Sequence, residues 1–373
     1  MNEFLADRTS MIDASGIRKV FDLAAKLPDP VNLSIGIPDF DVPDNIKDTA
    51  IDAIKQGHNR YSITAGDSEL LEKLRAKISA DYNWTDPKVM VVSGTSGALL
   101  LAFMATLNPA DEVIVTDPFF VMYKHVVNLV GGKPVFVDTY PDFALHPDKI
   151  EAAITDKTKM IIVNSPANPT GCVYSHDDLK AVAEIAKKHN LLILSDEIYD
   201  SFCYDFEYPS MASYYEKTLL LKGFSKSHAM TGWRQGYIAA QPALAHIIEQ
   251  MTKIQQYTFV CAPTPFQKAA VAALDTDISD ILAEYKIKRD MIYEGLKDNF
   301  EITKPQGAFY MFPKAPSWAN NATEFVQKAI ENNVLIIPGN VFSQQDTHFR
   351  ISYATTNEKI QQGIDILNSI AKA

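Results

Sequence analysis

The chain has 373 residues, 47% of them hydrophobic and 22% charged, the balance of a soluble globular protein; its length exceeds one ordinary core and predicts two lobes. With 35 lysines and arginines against 46 acidic residues the net charge is -11, which argues against nucleic acid or anionic membrane as partners and favours small molecules. Three cysteines, Cys172, Cys203 and Cys261, are too few and too scattered for a disulfide framework or a metal knuckle, and read as packing residues in a reducing compartment.

The N-terminal MNEFLADRTS has no basic start leading into an apolar stretch, so no targeting segment is read there and the expected location is the cytoplasm. Residues 11–27 place Ile17, Val20, Phe21 and Ala24 at helical spacing, and a proline-rich stretch comes next. Short apolar runs then recur at Val89 to Val92, Val113 to Thr116, Met160 to Val163, Leu191 to Leu194, Leu219 to Leu221 and Tyr237 to Ala240. Most are separated by segments of helical period such as Leu179 to Lys188, which predicts an α/β fold with a mostly parallel sheet covered by helices. The longest apolar run, Ala98 to Leu107, is too short to span a bilayer. Towards the C-terminus short strands alternate with helices. That stretch and the N-terminal residues are expected to share a smaller lobe, with 43–280 as the large domain and 1–42 plus 281–373 as the small one.

The residues just after the central runs carry the chemistry. In order these are Gly94-Thr95-Ser96, Asp117-Pro118-Phe119-Phe120, Asn168-Pro169-Thr170-Gly171, Asp196 with Tyr199, and Ser225-Lys226. Parallel strands set their carboxyl ends along one edge, so groups distant in sequence converge there on one ligand. A helix opening near Gly97 would turn the backbone N–H groups and hydroxyls of Gly94-Thr95-Ser96 toward a phosphate. Lys226 comes soon after the run Thr218 to Leu221, with Arg234 eight residues on. Such a lysine is either a solvated surface charge or a Schiff-base amine whose pKa is lowered by burial and nearby cations. Convergence of the strand ends favours the second.

Eight segments in order complete a pattern: LSIGIPDF at 33–40, Tyr61 with Gly66, VVSGTSGAL at 91–99, NSPANPTG at 164–171, SDEIYDSF at 195–202, GFSKSHAMTGWRQGY at 223–237, QGAFYMF at 306–312 and FRISYA at 349–354. From about Ser15 to Ala354 the chain resembles the class I and II aminotransferases, pyridoxal-phosphate enzymes of fold type I. The resemblance implies a three-layer large domain that binds pyridoxal 5'-phosphate on a mostly parallel sheet, plus a smaller α+β domain built from both chain ends. It further implies a homodimer with shared active sites and a two-stage exchange between an L-amino acid and a 2-oxo acid, with 2-oxoglutarate as the expected acceptor.

The same resemblance gives each group a task. Lys226 would form a Schiff base with the cofactor and, once displaced, move a proton between the substrate α-carbon and the cofactor C4′. Asp196 would pair with the pyridine nitrogen. At about 4 Å and an effective dielectric near 20 that attraction is roughly 4 kcal/mol before desolvation, about three pKa units, enough to keep the ring protonated as an electron sink. Tyr199 and Asn168 would reach the phenolic oxygen, and Phe120 would stack on the ring. Gly94, Thr95, Ser96, Ser225 and Arg234 would hold the phosphate, joined by Tyr61 from the neighbouring subunit. Many relatives carry a serine three residues before the lysine, where this chain has Gly223. Arg350 would grip the substrate α-carboxylate with two parallel hydrogen bonds, Gly36 and Asn168 completing the cradle. Ile37 stands where a glutamate is common.

Substrate choice stays open. Some aspartate-specific relatives use a partner-chain arginine, but residues 241–288 contain none; another subgroup uses a lysine at the position of Ser96. Either a different cation serves, Arg18 being a candidate, or the pocket is neutral, with Tyr257, Phe259 and Phe342 suiting apolar or aromatic amino acids. Two rivals remain. A carbon–sulfur β-lyase would use the same lysine but expel a leaving group. A non-catalytic α/β small-molecule binding protein is disfavoured by the presence of Lys226, Asp196 and Arg350 together.

Overall fold

The computed structural model describes residues 4–13, 16 and 28–372. The helical spacing read in Ile17, Val20, Phe21 and Ala24, and the candidate Arg18, lie outside the described residues. The strands are β1 (Val31–Asn32), β2 (Lys88–Ser93), β3 (Glu112–Asp117), β4 (Lys133–Asp138), β5 (Thr158–Asn164), β6 (Leu192–Asp196), β7 (Thr218–Gly223), β8 (Gln235–Ala240), β9 (Tyr310–Met311), β10 (Val334–Leu335), β11 (Ile337–Pro338) and β12 (Phe349–Ser352).

Seven of them form one sheet in the order β2-β8-β7-β6-β5-β3-β4. Its pairings are parallel except for those of β8, which runs antiparallel to both β2 and β7. Alternate residues of each strand enter opposite cores. Met90, Val92, Val113, Val115, Ile162, Leu194, Leu221 and Ile238 pack on one face, whereas Val89, Val91, Ile114, Ile161, Ile193, Leu220 and Tyr237 pack on the other. Covering both faces removes any solvated row, which is why these strands read as unbroken apolar runs. The result is the expected three-layer α/β sandwich. The helix Gly94–Thr106 is apolar nearly all round because it is wedged between the sheet and the helices Met122–Leu129 and Ala245–Thr258.

Two features differ from the sequence reading. The edge strand β4, KPVFVD, lacks a full apolar run because Lys133 and Asp138 at its ends are exposed. The helix after β2 begins at Gly94 rather than near Gly97. Gly94 has φ +65, so the chain turns directly from strand into helix, and a Cβ there would collide with the Arg234 guanidinium.

Residues 31–33 meet the C-terminal stretch outside this sheet, whereas residues 7–13 lie against the helix Met122–Leu129. Val31 and Asn32 pair in parallel with Val334 and Leu335, while β11, β12 and β9 form an antiparallel sheet with β12 in the middle. A separate core joins Val31 and Leu33 to Ile292, Leu296, Phe325, Phe349, Ile351 and Leu367, and reaches the large sheet through Tyr199 and Phe202. No described helix is long and apolar enough to cross a membrane. Cys172, Cys203 and Cys261 are free thiols, the first of them buried.

Candidate active site

The carboxyl ends of β2, β3, β5, β6 and β7 open onto one cavity of about 310 Å³. β8, being antiparallel, begins at this same edge. Lys226 just after β7 and Arg234 just before β8 therefore belong to one connection lying wholly at the mouth of the sheet. Gly36, Thr95, Ser96, Phe120, Asn168, Asp196, Tyr199, Ser225, Lys226, Arg234 and Arg350 all line the cavity. Gly94 sits behind it, against Arg234. Tyr61 lies elsewhere, 81% exposed and lining a separate groove with His58, Arg60, Asp67 and Thr264.

The Lys226 amine donates to the Gly36 carbonyl at 2.7 Å and lies 5.8 Å and 5.9 Å from the ring centroids of Tyr199 and Phe309. Withdrawal from water, followed by the charges of Arg350 and Arg234, pushes its pKa down to about 8 against the upward pull of Asp196. The loop carrying Gly36 is pinned from outside. Asp39 accepts from the Tyr285 hydroxyl at 2.6 Å and pairs with the buried Lys288 at 2.5 Å.

Asp196 ends β6 at 2% exposure, and burial pushes its carboxyl up to about 6. Two donors oppose that shift: the Tyr123 hydroxyl, 2.8 Å from Oδ2, and the Ile198 N–H, 3.3 Å from Oδ1. Asn164, its register partner at the end of β5, donates from Nδ2 to the Asp196 carbonyl at 3.0 Å. Tyr123 and Asn164 both line the cavity, and sequence reasoning assigned neither. Tyr123 stands three residues after Phe120, with the two rings edge to face at 5.6 Å. That spacing was the available signal.

At the other wall Arg234, itself at φ +57, donates to the carbonyls of Thr231 at 2.8 Å and Ser93 at 3.4 Å. No acidic partner reaches it among the described residues. Beside it the first N–H groups of the helix Gly94–Thr106 have no acceptor within the helix, so a fixed cation and a helix N-terminus face one point. This is an anion cup. At Gly223 a Cβ would approach the Gln235 carbonyl to 3.1 Å and the Gly236 Cα to 3.1 Å, so tight β7–β8 packing accounts for the glycine.

Arg350, 1% exposed, lies on the central strand β12 with its guanidinium between the rings of Phe342 at 4.5 Å and Tyr310 at 4.7 Å. Nη1 donates to Asn168 Oδ1 at 3.1 Å, Nη2 donates to the Ser34 carbonyl at 2.7 Å, and Nε has no partner among the described residues. A buried guanidinium without a carboxylate is costly to desolvate, and this one faces the cavity. Its environment matches the chemistry of an incoming carboxylate. Asn168 is engaged here rather than with Tyr199, whose hydroxyl instead pairs with that of Tyr310 at 2.8 Å. Tyr310, unassigned in the sequence reading, stands within its QGAFYMF segment. The suggested side-chain pocket is not assembled from its named residues: Phe342 is buried against Arg350, while Tyr257 and Phe259 lie outside the cavity at 86% and 38% exposure.

Residues 28–367 match the family described as aminotransferase class I and II. The chain is 41% identical over 375 aligned positions to the "Probable aspartate aminotransferase" of Methanocaldococcus jannaschii, covering 98% of this chain and 99% of that protein. It is 37% identical to aromatic-amino-acid aminotransferase 2 of Thermococcus litoralis, covering 99% and 98%. Among solved structures, the aspartate aminotransferase of Thermus thermophilus with maleate superposes with a TM-score of 0.93 at 33% identity, covering 98% of this chain and 99% of that one.

Proposed function

The chain belongs to the class I and II aminotransferases, and on that premise we propose which of its residues carry the exchange. It is a pyridoxal-phosphate-dependent transaminase that passes an amino group between an L-amino acid and a 2-oxo acid. When bound, the cofactor supplies an aldehyde that receives the amine and a conjugated ring that accepts the charge left as the substrate α-carbon loses its proton.

The supporting observation is the division of charge in one cavity. Lys226 and Asp196 stand with two arginines, Arg234 and Arg350, that lack acidic partners among the described residues. Arg234, the N–H groups after Gly94, Thr95, Ser96 and Ser225 would hold the phosphate. Asp196 would hold a proton on the ring nitrogen, Phe120 would cover the ring, and Tyr199 would donate to its phenolic oxygen. Arg350, with Asn168 and the backbone at Gly36, orients the α-carboxylate. Orientation sets which α-carbon bond breaks, and Lys226 Nζ then takes that proton and returns it, base and acid in turn.

Tyr123 keeps Asp196 ionised. Replacing Tyr123 by Phe removes a hydrogen bond to a charged group, about 1.5–3 kcal/mol, or roughly one to two pKa units. The lost donor lowered the Asp196 pKa, so the acid limb of kcat/KM should move upward by that amount in a pH–rate series. An unmoved limb removes Tyr123 from this role.

The functional dimer is part of the proposal. Tyr61, Ile63, Tyr257 and Phe259 are exposed, and Gln255 ties their two segments together by donating to the Thr64 carbonyl at 2.7 Å. This face suits a second copy, from which Tyr61 would reach the phosphate. The division into 43–280 and the flanking stretches is likewise proposed, supported by the pairing of β1 with β10. Ile37, 45% exposed on the cavity wall, supports an apolar or aromatic donor. A panel of amino donors against oxo acids, 2-oxoglutarate included, tests the reading. Oxo-acid formation should require an added acceptor. Acceptor-independent release of pyruvate, ammonia and thiol would point to β-elimination instead.

A further inference from the structure

Tyr310 stands between Tyr199 and Arg350 and touches both. Its hydroxyl lies 2.8 Å from that of Tyr199, its ring centroid lies 4.7 Å from the Arg350 guanidinium, and the residue is 1% exposed. β9 holds it in register opposite Ser352, beside the strand segment that presents Arg350. A Cβ on Gly36 would collide with the Tyr310 hydroxyl, so the glycine at the cavity wall leaves room for that oxygen.

We propose that Tyr310 is a positioning residue with two separable parts: its hydroxyl orders the proton of Tyr199, and its ring holds the Arg350 guanidinium in the plane that meets a carboxylate. The inference rests on the roles proposed above for Tyr199 and Arg350. Tyr199 has a single hydroxyl proton. If that proton points to a ligand oxygen in the cavity, the 2.8 Å contact is satisfied only with Tyr310 donating to Tyr199, which gives a directed chain of two hydroxyls. Hydrogen bonds in such chains strengthen one another, so the Tyr310 donor makes Tyr199 the better donor. Burial pushes both phenols up, Tyr199 further than Tyr310, with the Arg350 charge opposing the rise in each; Tyr310 is thus left the more acidic of the two, which favours this direction. Phe342 on the far side of the guanidinium completes the stack, and neither ring takes a hydrogen bond from Arg350.

The test uses the holoenzyme with Tyr310→Phe, Tyr310→Leu and Tyr199→Phe, read by pH titration of the visible absorbance and by binding of maleate, a carboxylate probe. A donor to the phenolic oxygen stabilises its anionic form and lowers the titration midpoint, so weakening the donor raises it. Tyr310→Phe should raise the midpoint by about half to one pH unit, less than Tyr199→Phe, and leave maleate affinity unchanged. Tyr310→Leu should raise it equally and also weaken maleate about tenfold, the loss of a desolvated cation–ring contact. An unmoved midpoint in Tyr310→Phe, with Tyr199→Phe shifted, overturns the proposal and leaves the role of Tyr199 standing. An unmoved midpoint in Tyr199→Phe overturns that underlying role itself. Equal weakening of maleate in Tyr310→Phe and Tyr310→Leu refutes the separation of ring from hydroxyl.

Discussion

Lys226→Ala is expected to fold, to lose the visible band of the lysine-joined cofactor, and to turn over about 10²–10⁴-fold more slowly from the lost proton transfer alone. The size of the effect comes from the site. A pKa of about 8 leaves roughly one amine in ten neutral at pH 7, where an ordinary lysine offers fewer than about one in a thousand. Cofactor uptake by the apoenzyme should therefore rise with pH and level off above about 8, because the lowered pKa makes the reactive neutral amine available from that point upward. Stopped-flow absorbance measures the rate, and peptide mapping after borohydride reduction locates the modified lysine. A variant that keeps both colour and turnover removes Lys226 from the assignment.

Arg350→Ala should leave the cofactor bound and lower kcat/KM by roughly 30- to 4,000-fold, the 2–5 kcal/mol lost when one partner of a buried charge pair is truncated. The loss should appear mainly as a raised KM, because the guanidinium acts on the carboxylate in ground state and transition state alike. Arg350→Lys should recover only part of it. A point charge cannot give two parallel hydrogen bonds, and Asn168 Oδ1 and the Ser34 carbonyl would compete for it. Loss of cofactor from Arg350→Ala would place this residue at the phosphate instead.

The sheet was legible because its strands are covered on both faces. Val89 to Val92 and Met160 to Val163 can be nothing but buried strands once helices flank them. β4 was not legible, since an edge strand with exposed ends carries only half that signal. The strand ends announced Lys226, Asp196 and Phe120 because parallel topology gathers them, and Arg234 joins them because the antiparallel β8 begins at the same edge. Tyr123 and Tyr310 were hidden for the converse reason: their partners, Asp196 and Tyr199, stand 73 and 111 residues away, and nothing local marks either hydroxyl as paired. Arg350 was singled out, yet its lack of a carboxylate partner among the described residues becomes visible only when its neighbours are in place. The helix start at Gly94 escaped because propensity does not register a glycine packed against an arginine distant in sequence.

The reversed direction of β8 bears on how this chain can be cut and rejoined. Lys226 and Arg234 share one uninterrupted span, so their separation is fixed locally, whatever the rest of the sheet does around them. New termini or inserted domains belong on the exposed turns at the opposite rim, where neither cation is disturbed; opened between these two, the protein would keep its architecture and lose the fixed spacing of the two cations.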